Sequence, residues 1–258
     1  MNLSRDFSVE VLTADLERSI REEVASATPI ETLRTKDHKL LQIMQAEDGE
    51  KFVTRRYSQE GINVIQGDSR TWDMPFEENW EMMLHGLAAA NITPVNSVLL
   101  RDVDESPYVI VSEFLENGVG MHEARTETKC QVAKSLGKLV TLESASGFVP
   151  NIFTIVKPDM FLAREKPDGT EEALLVDVDP YLHEQRVPKP SEIDATAIDI
   201  ISGILWDNWC LEDERERVFV EFVKEIADMA MQDFSLDSPT AQSFQVAHFM
   251  SNGVDTRN

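Results

Sequence analysis

The chain has 258 residues, 42% hydrophobic and 28% charged, which suits one large domain or two joined lobes with a buried core. Its 24 Lys and Arg stand against 47 Asp and Glu, a net charge of −23 that repels phosphate backbones and anionic lipid. No nucleic acid and no membrane is therefore expected as a partner. Two cysteines without metal-ligand spacing, and a start too acidic for a signal peptide, fit a cytoplasmic chain with reduced, buried thiols.

Leu12, Leu16, Ile20 and Val24 recur every four residues among charged neighbours, which predicts an amphipathic helix within an N-terminal segment, residues 1–28. After Pro29, "PIETLRT", "KLLQIMQA" and "KFVTRRYS" read as three short antiparallel strands, with Asp48-Gly49 as a hairpin turn. In "RTWDMPFEENWEMMLHGLAAANI" the stripe Trp80, Met83, Leu84, Leu87 predicts a helix, with Asp73 as its N-cap and Asn91 as its stop. "NSVLLRDVDESPYVIVSEFLE" gives two more strands around a polar turn. The second half is mainly helical. "ETKCQVAKSLGKLVTLESASG" places Val132, Leu136, Leu139 and Val140 on one face. A hairpin follows, "MFLARE" and "EALLVDV" around "KPDG". "SEIDATAIDIISGILWDNW" and "EDERERVFVEFVKEIADMAMQDF" then read as two long amphipathic helices, ahead of a weakly patterned tail, residues 236–258.

This order makes an α+β chain: a small five-stranded antiparallel lobe with one inserted helix, residues 29–116, and a helical lobe with a β-hairpin, residues 117–235. It resembles the protein-kinase-like fold, in the compact form shared with aminoglycoside and choline phosphotransferases. "VKPDMFLA" is similar to the "LKPENILL" of kinase catalytic loops, and "LVDVD" to the downstream "LIDFG". "KFVTRRYS" resembles the strand that carries the phosphate-binding lysine, and "EENWEMMLHGLAAANITPVNSVLL" the helix that carries its glutamate partner. "YVIVSEFLENG" resembles the fifth strand and the hinge that would hold an adenine ring.

The resemblance implies a site for ATP and Mg²⁺. Arg55 would stand in the lysine's place and Glu81, with Glu78 next, in the glutamate's; Glu113 and Leu115 would be hinge residues. Asp177 would be the metal ligand, with Asp179 two beyond it. Phosphoryl transfer also needs backbone N–H groups around the phosphates and a base for the acceptor hydroxyl. Here the sequence departs from the pattern. The loop between the first two strands, "RTKDHK", has no glycine. Phe153-Thr154-Ile155 stands where His-Arg-Asp belongs, so Ile155 takes the base position and Met160 that of the metal-binding asparagine. Neither side chain takes up a proton or ligates Mg²⁺. A shift of one residue makes Asp159 a metal ligand instead, with Thr154 at the base position; Asn151 is no base either.

Read without the resemblance, Asp177 and Asp179 cap the loop or helix start after the hairpin, and Asp159 is a solvated turn residue. Arg55 and Arg56 alternate on a strand, so one faces solvent as a surface ion pair while the other makes a structural bridge, Glu81 being a candidate. The five histidines have no paired spacing, so no metal site is indicated. Three functions follow. One is a kinase-like protein impaired in catalysis, a pseudokinase, that binds or regulates a protein partner. A second is a divergent ATP-dependent phosphotransferase, suited by its acidic surface to a cationic small molecule. The third is an unrelated α+β interaction protein.

Overall fold

In the computed structural model the described residues are 14–36, 39–68, 75–145, 148–150, 160–177, 182–184 and 209–233. Their contacts make two compact units, one of residues up to 68 together with 94–116, the other of the rest.

The first unit is a five-stranded antiparallel sheet in the order β1-β2-β3-β5-β4. Its strands are β1 (Thr28–Lys36), β2 (Lys39–Gln45), β3 (Lys51–Tyr57), β4 (Ser97–Val103) and β5 (Ser106–Glu113). Each follows an expected apolar run. The β2–β3 turn forms at Asp48-Gly49: Gly49 takes φ +91, Gly49 N donates to Ala46 O at 3.0 Å, and Asp48 Oδ1 accepts from Glu50 N at 3.0 Å. Helix α1 (Ala14–Ser26) lays Ile20 and Val24 on one face of the sheet, against Met44, Phe52, Val98, Leu100, Val109 and Val111. Leu12, the first residue of that predicted stripe, lies outside the described residues.

Helix α2 (Gln59–Asp68) follows β3, and the sequence pattern missed it. Gly61 and Gly67 weaken its helical period. Ser58 starts it instead, its Oγ accepting from Gly61 N at 3.1 Å and its carbonyl from Ile62 N at 3.0 Å.

The second unit opens with α3 (Phe76–Ala89), which buries Phe76, Asn79, Trp80, Met83 and Leu87. Its N-cap is Pro75, which offers no side-chain acceptor; Asp73, expected as the cap, lies outside the described residues. Its stop is as expected. Asn91 takes φ 61, Asn91 N donates to Ala88 O and Ile92 N to Leu87 O, the paired bonds of a Schellman motif. The strand β6 (Val119–Gly120), the helix α4 (Thr126–Ala145) and the strand β7 (Phe148–Pro150) come next. The hairpin of β8 (Phe161–Glu165) and β9 (Glu171–Leu175) pairs with β6, while β10 (Leu182–Glu184) pairs with β7. Gly169 takes φ +79 in the β8–β9 turn, and Asp168 Oδ1 accepts from Thr170 N at 2.9 Å.

Helix α5 (Arg215–Asp233) packs on α4. Gly137 allows the approach: a Cβ there would sit 2.5 Å from Phe222 O. Where α5 begins, Glu214 accepts from Lys129 Nζ at 2.6 Å, from Thr126 Oγ1 and from Leu211 N. Trp209, fully buried, meets Phe161 edge-on with centroids 5.6 Å apart. The helix expected before Trp209 and the tail of residues 236–258 lie outside the described residues.

Candidate functional site

Within the first unit, β3 carries the two arginines on opposite faces. Arg56 reaches out to Asp104 Oδ2 at 3.2 Å, the expected surface ion pair. Arg55 is 3% exposed. It pairs across the ladder with Ile110, and Val53 pairs with Ser112, so Arg55 and Ser112 share a face. The guanidinium Nη1 donates to Ser112 Oγ at 2.9 Å. Ser97 stands opposite Ser112 in the β4–β5 register, their hydroxyls 2.8 Å apart, and Ser97 donates to Val95 O at 2.9 Å. Since the Ser97 proton goes to that carbonyl, the Ser112 proton goes to Ser97. The donors therefore run one way, Arg55 to Ser112 to Ser97 to Val95, and each bond polarises the next. The arrangement ties β3, β5 and β4 together from inside.

The hinge-like segment is held within the same unit. Glu113 N donates to Asn96 O at 2.9 Å, and its carboxylate accepts from Asn96 Nδ2 at 3.0 Å. Its main-chain donor is thus used by the sheet. Lys51 Nζ lies 5.5 Å from the Phe114 ring centroid and 3.1 Å from Glu116 Oε1, which pins the segment to the start of β3. Leu115, between them, is half-buried. At the glycine-loop position, β1 and β2 pair as far as Lys36 and Lys39. Only Asp37 and His38 connect them, and both lie outside the described residues. A two-residue link offers no row of backbone donors long enough to enclose phosphates.

Within the second unit, Val176 N donates to Met160 O at 2.7 Å, extending the β8–β9 ladder by one pair. Met160, which the sequence pattern set at the place of a metal-binding asparagine, is 3% exposed beside the buried Phe161. Asp177 comes directly after this pair and is half-buried. Of the three aspartates around the hairpin it alone is placed: Asp159 and Asp179 lie outside the described residues, as do Ile155, Phe153, Thr154 and Asn151. Glu81 and Glu78 are exposed on α3, and the Glu81 carbonyl accepts from His85 Nδ1 at 2.8 Å. No group of three or more His, Cys, Asp or Glu among the described residues could hold a metal ion. The thiols offer no nucleophile either. Burial raises both, and it pushes Cys210 up to about 11, which leaves little thiolate at neutral pH.

Sequence reasoning placed Arg55 but missed its partners. The signal was Ser112, a hydroxyl inside the apolar run "YVIVSEF", which a buried strand does not tolerate without a hydrogen bond.

The sheet order with a helical insertion between β3 and β4, followed by a helical unit with a β-hairpin, decides the architecture. The fold is protein-kinase-like. No family model and no curated protein matches the sequence. Similar solved structures include the Rio2 kinase of Chaetomium thermophilum in an ADP/Mg²⁺-phosphoaspartate complex: identity 10%, coverage 93% of this chain and 76% of that one, TM-score 0.44. Another is the pseudokinase DRIK1, drought responsive inactive kinase 1, bound to ENMD-2076: 12% identity, coverage 90% and 95%, TM-score 0.43. An apo pseudokinase matches at 12% identity, coverage 92% and 88%, TM-score 0.39.

Proposed function

We propose that this chain is a pseudokinase: a kinase-like scaffold that binds or regulates a protein partner and transfers no phosphate. One observation carries the reading. The cation that would meet the phosphates, Arg55, is buried with its guanidinium on Ser112. A planar fork committed to that hydroxyl does not do the work of a mobile ammonium. Three other features agree: the two-residue β1–β2 link, the buried thioether of Met160, and Ile155 at the base position. The described residues therefore do not fit Mg²⁺-ATP. Of the three aspartates around the hairpin only Asp177 is among the described residues, and one carboxylate is a poor cage for a hard cation.

The test is a thermal-shift titration with ATP and with GTP, each with and without Mg²⁺ or Mn²⁺. A ligand that binds the folded state alone adds about 2.7 kcal/mol at a hundredfold excess over Kd, so millimolar nucleotide would visibly shift any useful site. The expected result is no shift. A metal-dependent shift abolished by Asp177→Asn would overturn the proposal and favour the phosphotransferase, with a cationic small molecule as acceptor.

A further inference from the structure

Within the second unit a cleft of about 220 Å³ opens between the link after α3, helix α4 and the outer edge of β9. Ile92, Val132 and Phe161, all buried, form its apolar wall. Asn91, Thr93 and Gln131 stand at its rim as exposed, neutral polar residues. Lys166 and Glu172 also line it, but they face each other at 3.6 Å, and Glu172 accepts from Arg164 at 2.8 Å besides. The cleft thus presents no charge that calls for a partner.

The strand edge decides what fits. Val176 N donates to Met160 O and Lys166 N to Thr170 O, so Glu172 and Leu174 turn their peptide groups toward β8. Those of Glu171, Ala173 and Leu175 turn outward. Leu175 N donates to Thr93 O at 2.9 Å, and this bond closes the edge just beyond Ala173. Ala173 lines the cleft, and among the described residues nothing pairs with its N–H or its C=O. One donor and one acceptor therefore stand side by side next to an apolar wall. A polypeptide strand laid here would lose its next rung to the Thr93 bond. The space is also below the roughly 300–1,000 Å³ of sites for drug-sized ligands, which suits a smaller molecule. We infer that this cleft binds a small, uncharged, flat ring that carries an acceptor beside an N–H donor, as an aryl carboxamide or an amino-substituted nitrogen heterocycle does. Its acceptor would take the Ala173 N–H and its N–H would give to the Ala173 C=O. Its ring would lie against Ile92, Val132 and Phe161 and displace water from them. This inference goes beyond the pseudokinase reading and does not rest on it, since every residue of the cleft lies in the second unit.

The test uses the full chain with isotopically labelled alanine, read by NMR. The probes are benzamide and aminopyrazine; their N,N-dimethyl counterparts, which lack the N–H, are the controls. Two variants identify the Ala173 amide signal by its absence. Ala173→Pro deletes the donor at an outward-facing edge position, where proline is tolerated. Ala173→Leu keeps the donor and narrows the cleft with a larger side chain. Each probe is expected to move the Ala173 signal saturably, with a Kd on the order of millimolar. Its control should bind about tenfold more weakly or worse. Saturation transfer to the probes should be lost in both variants, and unchanged melting temperatures will show that they fold; if proline unfolds the chain, the leucine variant decides alone. Controls that bind as well as the probes would overturn the inference, as would binding indifferent to the substitutions. Tighter binding of acetyl-trialanine amide would identify a strand as the occupant. An Ala173 amide protected from hydrogen exchange in the free chain would mean that the edge is already covered. Either result would also overturn the inference.

Discussion

The Lys129–Glu214 pair tests the account of the second unit most sharply. Lys129 is 1% exposed and Glu214 11%, their charged atoms 2.6 Å apart. The ammonium also donates to His122 O at 3.2 Å, and the carboxylate also accepts from Thr126 and Leu211. Lys129→Met keeps most of the stem's packing and removes only the charge. It leaves a largely buried carboxylate with two neutral donors. Breaking such a pair from one side costs about 3–5 kcal/mol, and the remaining donors put this site near the lower end. Glu214→Gln strands the ammonium and costs a similar amount. The double variant Lys129→Met/Glu214→Gln has neither charge buried, and it should regain most of the loss. Equilibrium urea denaturation of all four proteins gives the coupling energy directly. A loss below about 1 kcal/mol in the single variants, or a double variant as weak as the sum of both, would refute the reasoning.

The same pair sets a pH dependence. Burial raises the Glu214 pKa, but the hydrogen bonds from Lys129, Thr126 and Leu211 N outweigh it and hold the carboxyl below its ordinary value of 4.5. A depressed folded pKa contributes stability that is full above 4.5 and is lost as pH falls through the folded value. Acid should therefore narrow the gap between the wild type and Glu214→Gln.

Two further substitutions test the packing and the turns. Gly137→Ala places a Cβ 2.5 Å from Phe222 O and 3.2 Å from Glu225 Cβ. A backbone oxygen cannot swing aside, so α4 and α5 must part, and overpacking of about 2–3 kcal/mol should outweigh the roughly 1 kcal/mol of better helix propensity. Chemical denaturation should show a net loss. In the two-residue β4–β5 link, Asp104 and Glu105 hold φ 45 and 66, a left-handed pair at a hairpin turn. Glu105→Gly should raise stability by about 0.5–1 kcal/mol and Glu105→Val should lower it, both by thermal melting.

What could be read from the chain was local. Both Asp-Gly turns, the Asn91 stop and the five strands of the sheet each depend on residues within a few positions of one another, and each formed as expected. Pairings set by tertiary contact were not legible. Ser112 and Arg55 are 57 residues apart, and Lys129 and Glu214 are 85. Nothing in either segment names the other. Strands β6, β7 and β10 have two or three residues each, too few to show any period. At β1 the pattern suggested a strand like the others, but not that six of its residues would stay exposed.

Two residues at which the sequence departs from the kinase pattern, Met160 and Arg55, are built into the architecture. Met160 is a buried apolar residue at the root of the hairpin. Changing it to asparagine would place an amide there, and unless partners were also supplied the cost would be about 1–3 kcal/mol. Arg55→Lys would take from Ser112 a guanidinium donor and give back a shorter, more strongly hydrated head. The Ser112–Ser97 relay would then begin without the guanidinium that now starts it. Both substitutions would thus disturb the sheet and the hairpin. Chemistry retained by other residues requires polar groups left accessible there, and Asp177 is the one such group among the described residues that the sequence pattern assigned to metal.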